Sequence, residues 1–164
     1  MIPNSVDLEG LITQLNEDHV AFDEYNAPLN DAMRESIVDA QNRGFGELGA
    51  VILSDTELKG TEVRDTAQHL LDNSEVETLI FISPGTGAVM SSKYSRAEVE
   101  SAQVDFLGKP DFPRATTQLV DHILDDPVPG TVLLSSAVLI VVLAIVGTLI
   151  FLRRLTPHSL RDNV

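Results

Sequence analysis

Residues 131–152 read TVLLSSAVLIVVLAIVGTLIFL, 22 consecutive residues without one charge. As a helix rising about 1.5 Å per residue, this run is about 33 Å long, against about 30 Å for a bilayer's hydrocarbon core. A core helix of a soluble domain rarely stays uncharged for so long. The run therefore predicts a transmembrane helix, with the lipid bilayer as its partner. Ser135, Ser136, Ala144, Gly147 and Thr148 are small residues along it. Such residues let a second helix approach closely, so dimerisation through the span is open.

The span divides the chain's charge. The 164 residues carry 25 acids and 11 bases, a formal net of −14. Residues 1–130 hold 24 of the acids and 8 of the bases, a net of −16, whereas residues 153–164 hold three Arg against one Asp, a net of +2. Four segments follow: an acidic domain over 1–126, a short linker over 127–130, the span over 131–152 and a basic tail over 153–164. Outside the span 54 of 142 residues are apolar, about 38 %, an ordinary value for a soluble domain. A domain at −16 is excluded as a nucleic-acid binder, because that affinity rests on Lys and Arg neutralising phosphates. It is equally unsuited to lying flat on an anionic bilayer.

Arg153, Arg154 and Arg161 follow the span, whereas Asp121, Asp125 and Asp126 precede it, and Arg114 is the nearest upstream base. The positive-inside rule then puts the tail in the cytoplasm and the acidic domain outside the cell membrane. The N-terminus, MIPNSVDLEGL, has no basic region leading into an apolar one, so no cleavable signal is expected. That favours the competing topology, a tail-anchored protein with a cytoplasmic domain. The absence of cysteine excludes disulfides, zinc–thiolate sites and thiol nucleophiles.

Hydrophobic periodicity predicts an α/β domain with a central, mostly parallel sheet of about three strands flanked by helices. Asn4 or Ser5 can cap a first helix with Leu8, Leu11, Ile12 and Leu15 on one face. Residues 16–28 read as a polar connection. A second helix is expected over about 29–43, with Leu29, Met33, Ile37 and Ala40 as its stripe and Gly44 at its end. Residues 48–54 are a continuous apolar run, as in a strand buried on both faces, and residues 76–83, with the apolar stretch Leu79–Ile82, are a second strand of the same kind. A helix over about 61–72 joins them into a parallel unit with a right-handed crossover. Residues 84–87 form a turn into a short antiparallel edge strand over 88–92. Ser95 and Glu98 make a capping box for a fourth helix, and a fifth is expected over about 116–125. Pro127-Val-Pro-Gly130 is too short to be a tether, which sets the domain close to the bilayer.

Gly44-Phe-Gly46-Glu-Leu-Gly49 spells a dinucleotide fingerprint, but a helix precedes it and a strand follows, the reverse of the required order. It reads as a helix end and turn. Pro84-Gly85-Thr86-Gly87 lacks the Lys-Ser/Thr of a phosphate loop and reads as a hairpin turn. Asp55 and Glu57 follow the first buried strand, and two carboxylates at this spacing can share Ca²⁺ or Mg²⁺. They are the metal-ligand candidates, although no EF-hand loop surrounds them. His19, His69, His122 and His158 show no zinc-ligand spacing, and neither Ser54 nor Ser83 sits in a nucleophile elbow. No catalytic residue and no resident cofactor is assigned.

The order of elements, with a C-terminal span, resembles a reduced TPM domain, an α/β fold of extracytoplasmic and lumenal proteins. Gly49-Ala-Val-Ile-Leu-Ser54, Ile80-Phe-Ile-Ser-Pro84 and the Arg-flanked span resemble more closely a family of small single-pass membrane proteins. These come from mycobacteria and corynebacteria and are encoded beside cell-wall endopeptidases. The resemblance implies a membrane-anchored, non-enzymatic module that binds another envelope protein of cell-wall metabolism. TPM domains that bind divalent cations or cleave phosphate esters imply the alternative, a metal-dependent hydrolase using Asp55 and Glu57. A cytoplasmic tail-anchored adaptor is the third reading.

Overall fold

The structure is a computed structural model that describes residues 5–125. The chain divides into two units between Pro127 and Val128, and the described residues belong to the first. Among them no helix is long and apolar enough to cross a membrane; the run 131–152 lies outside them, as do Asn4 and His158.

Five helices flank a four-stranded sheet in the order α1 (Leu8–Asp18), β1 (Val20–Phe22), α2 (Ala27–Asn42), β2 (Leu48–Ile52), α3 (Gly60–Asp72), β3 (Thr78–Ser83), β4 (Thr86–Ser91), α4 (Arg96–Phe106) and α5 (Phe112–Asp125). The strands lie side by side in chain order, parallel from β1 to β3, with β4 antiparallel. Both apolar runs are strands, every residue of β2 and β3 is buried, and the hairpin turn leads into β4.

The sheet has one strand more than the sequence suggests. Val20-Ala-Phe22, inside the stretch read as a polar connection, forms the edge strand β1 and is wholly buried against β2. The helix before it stops at His19, which takes the left-handed conformation (φ 62°) while its N–H still bonds Leu15 O. With only three residues to alternate, the strand carries no readable period. Other boundaries move for local reasons. Asp7 caps α1, accepting from Gly10 N at 3.1 Å, so Ser5 does not. Asn26 caps α2, accepting from Leu29 N. Helix α5 begins four residues earlier than its apolar stripe because Pro113 is tolerated in a first helical turn, and Asp111 accepts from Arg114 N to cap it. Gly44 (φ 84°) and Gly46 (φ 102°) make the turn from α2 into β2, so the fingerprint-like glycines do end a helix.

Two cores sandwich the sheet. One packs Met33, Ile37 and Ala40 of α2, with α4 and α5, on the face carrying Ala50, Ile52, Ile80 and Ile82. The other packs Leu11 and Leu15 of α1 and Val63, Ala67 and Leu70 of α3 on the face of Val51, Leu79 and Phe81. Strands β1, β2 and β3 advance in one direction, yet α2 and α3 lie on opposite faces. The two crossovers must therefore have opposite hands, and the right-handed rule holds for only one of them. The right-handed crossover expected from the sequence concerns the β2–α3–β3 unit alone, and one right-handed crossover of the two is compatible with it.

Candidate functional site

The loops after the parallel strands gather at one edge of the sheet. The end of α5 lies at the opposite edge. Arg43 at the end of α2 pairs with Asp121 of α5, whereas Ser36 donates to Pro113 O near the start of α5, so the two helices run the same way.

At the strand ends, Asp23 leaves β1 and turns its carboxylate into the loop after β2. Its Oδ1 accepts from Ser54 N at 2.7 Å and Glu24 N at 2.8 Å, and its Oδ2 accepts from Asp55 N at 3.2 Å. Burial pushes this carboxyl up, but the amides of Ser54, Asp55, Glu24 and Thr56 outweigh it and hold it below its ordinary value. From the other side, the buried Ser83 at the end of β3 donates to Thr56 O at 2.7 Å and accepts from Leu58 N at 3.2 Å. The loop 53–58 is thus fastened to both neighbouring strands, and Leu58 beneath it is buried in the second core.

This fastened loop carries Asp55 and Glu57, and both are exposed. Beside it lies a hollow of about 320 Å³, lined among others by Asp7, Gln14, Phe22, Asp23 and Thr56. A hard cation takes six to eight oxygens, and Asp55 and Glu57 supply one pair. Among the described residues no group of three or more His, Cys, Asp or Glu is arranged to hold a metal. The nearby Asp23 carboxylate is already occupied by backbone amides. Ser83 likewise has its hydroxyl committed in both directions.

A larger groove, about 450 Å³, runs along β4 between α3 and α4, with Val89, Met90 and Val99 at its base. Arg64 and Arg96 on its walls share Glu100, at 3.4 and 2.7 Å. The Arg96 hydrogen bond, ahead of its charge and the Arg64 contacts, holds the Glu100 carboxyl low. Tyr94 at the end of this groove donates to Phe45 O at 2.7 Å, and burial, then the charges of Glu77 and Glu98, push its phenol up.

The histidines stand apart. His19 Nε2 lies 3.0 Å from Glu47 Oε2, which also accepts from Gln41 at 2.8 Å, at the edge where the parallel strands begin. His69 is half-buried on α3, and His122 Nε2 lies 3.0 Å from Ser101 Oγ on α4. Sequence reasoning passed over Asp23 and saw Ser83 only as a failed nucleophile. The available signal was an Asp directly after the apolar triplet Val20-Ala-Phe22, the position of a strand-end residue.

These observations define a small α/β domain whose candidate site loops lie at the carboxyl ends of a mostly parallel sheet. The chain belongs to the family of the membrane protein Rv1476, whose family model matches residues 1–159. The protein is accordingly placed at a membrane. A solved structure of similar fold is the N-terminal domain of the cg2496 protein from Corynebacterium glutamicum, determined in solution by NMR. It is 15 % identical, covers 65 % of this chain and 78 % of its own, and superposes with a TM-score of 0.50. No curated protein matches the chain.

Proposed function

We propose that this protein is a non-enzymatic interaction module, displayed at the cell envelope by a single C-terminal span and docking a second envelope protein. In this reading residues 1–126 are the recognition domain, 127–130 the linker, 131–152 the membrane helix and 153–164 a cytoplasmic basic tail. The observation that carries it is the match to a membrane-protein family over residues 1–159, combined with the uncharged run 131–152. Asp23 and Ser83 are consistent with it, since their hydrogen bonds go to backbone groups that hold the loop 53–58. The family resemblance extends the reading further. A TPM-like ancestry for the domain and genes beside cell-wall endopeptidases would make the partner a protein of cell-wall metabolism. Dimerisation through the small residues of the span would present two domains side by side.

Cross-linking and affinity capture of the full chain from its own membranes test this reading. Repeated recovery of one envelope protein, lost when the domain is deleted, is the expected outcome. Recovery of no envelope protein above a span-only control would refute it.

A second reading makes the domain a divalent-metal-dependent phosphate-ester hydrolase. It is favoured by one observation, that Asp55 and Glu57 ride on a fastened loop at the strand ends, where open α/β sheets bind ligands. Calorimetric titration with Ca²⁺, Mg²⁺ and Mn²⁺ separates the two. Binding heat that vanishes in Asp55→Ala would establish a metal site; equal heat from both proteins would remove it.

A further inference from the structure

We propose that Gln14 and Gln103 are edge caps that close both sides of the sheet to an added strand. An open sheet ends in two rows of backbone groups, and an unprotected row is a template for pairing with another chain. Here the rows belong to β1 and β4. On β1, the bond from Ala50 N to His19 O belongs to the side facing β2, which turns the polar groups of Phe22 outward. Phe22 N donates to Gln14 Oε1 at 3.0 Å, and Gln14 Nε2 donates back to Phe22 O at 3.2 Å. The side-chain amide thus offers Phe22 one acceptor and one donor, as a neighbouring strand would.

On β4, the two-residue turn closing the Ser83–Thr86 pair sets the alternation, and Val89 N points away from β3. It donates to Gln103 Oε1 at 2.8 Å. The caps come from different helices on opposite faces of the sheet, α1 and α4. Each helix is anchored by its own buried residues, Leu11 and Leu15 in one, Val99, Ala102 and Phe106 in the other. A neutral amide can satisfy a peptide group without placing a charge at the edge of the core. An incoming strand would have to displace it first.

The test uses the full chain in detergent micelles, with amide exchange resolved at Phe22 and Val89 and dimer formation followed by chemical cross-linking. In Gln14→Leu/Gln103→Leu both amides should exchange roughly tenfold faster, the equivalent of one lost hydrogen bond. Dimers cross-linked through β1 or β4 should rise above the wild-type level. Gln14→Glu/Gln103→Glu keeps both acceptors, so its two amides should stay near wild-type exchange. If the double Leu variant does not fold, each single Leu variant gives the same readout at one edge. Unchanged exchange in the Leu variants would overturn the proposal. So would fast exchange with no more dimer than wild type.

Discussion

Replacing Asp23 with Ala removes the carboxylate that gathers the amides of Ser54, Asp55 and Glu24 at 2.7, 3.2 and 2.8 Å. A hydrogen bond to a charged acceptor is worth about 1.5–3 kcal/mol when well formed. Asp23 is exposed, however, so its bonds compete with water. Capping carboxylates in comparable half-solvated positions contribute about 0.5–2 kcal/mol in all. The loop has a second anchor in Ser83, which limits how far the damage spreads. We expect a loss of about 2 kcal/mol, the upper end of the capping range. Unfolding entropy near 2.1 cal/mol/K per residue gives about 0.25 kcal/mol/K for residues 5–125, so Tm should fall by about 8 °C.

The assay is thermal unfolding of the full chain in detergent followed by circular dichroism, with amide exchange of the loop 53–58 as a local readout. Asp23→Asn keeps one acceptor oxygen without the charge and should fall between wild type and Asp23→Ala. The carboxyl is held below its ordinary value of 3.8, so its contribution is complete above that pH. As pH falls through the lowered folded value, the carboxylate is protonated and the Tm gap between wild type and Asp23→Ala should close. A Tm change under about 2 °C, which is about 0.5 kcal/mol on the same scale, would refute the reasoning if the Ser54 and Asp55 amides also kept their protection.

Other perturbations probe the rest of the fold. Gly46→Ala forces a side chain onto φ 102°, with its Cβ against the Glu77 carboxylate, and should cost about 1–3 kcal/mol in a denaturant melt; an unchanged midpoint would count against the turn as described. Phe81→Ala opens a cavity beneath α3 at a fully buried position of β3 and should cost about 3–5 kcal/mol, with less than 1 kcal/mol arguing that the second core is misassigned. Glu100→Gln should leave the unfolding midpoint at neutral pH unchanged, because both of its Arg partners are exposed. Since Arg96 and then Arg64 hold that carboxyl below its ordinary 4.5, whatever it contributes is present above that pH and lost as acid protonates it.

The legible parts of this domain are those whose signals are long or local. The buried strands β2 and β3 stand out because their apolar runs, Leu48–Leu53 and Leu79–Ile82, leave no exposed face to decorate. The capping box is readable because Ser95 and Glu98 satisfy each other's amides within one turn. Strand β1 was hidden for the opposite reason. Its three residues are stabilised by β2, thirty positions further on, and by Gln14, which looks like any polar residue of an amphipathic helix.

The site was legible by address but not by content. Asp55 and Glu57 were placed correctly at a strand end, whereas the two residues that shape their loop, Asp23 and Ser83, act across 31 and 25–27 positions of sequence. No local pattern encodes such a bond. Likewise, which sheet face each crossover helix covers is settled by long-range packing, with α1 and α3 filling one face and α2, α4 and α5 the other.

Protease added to intact spheroplasts carrying the full chain, with epitopes at both termini, tests most directly whether the acidic domain is displayed outside the cell. The account predicts loss of the N-terminal epitope and the domain while the tail after Arg153 stays protected, and loss of both epitopes once detergent is added. A domain that survives until the membrane is dissolved would contradict display at the envelope and place it in the cytoplasm.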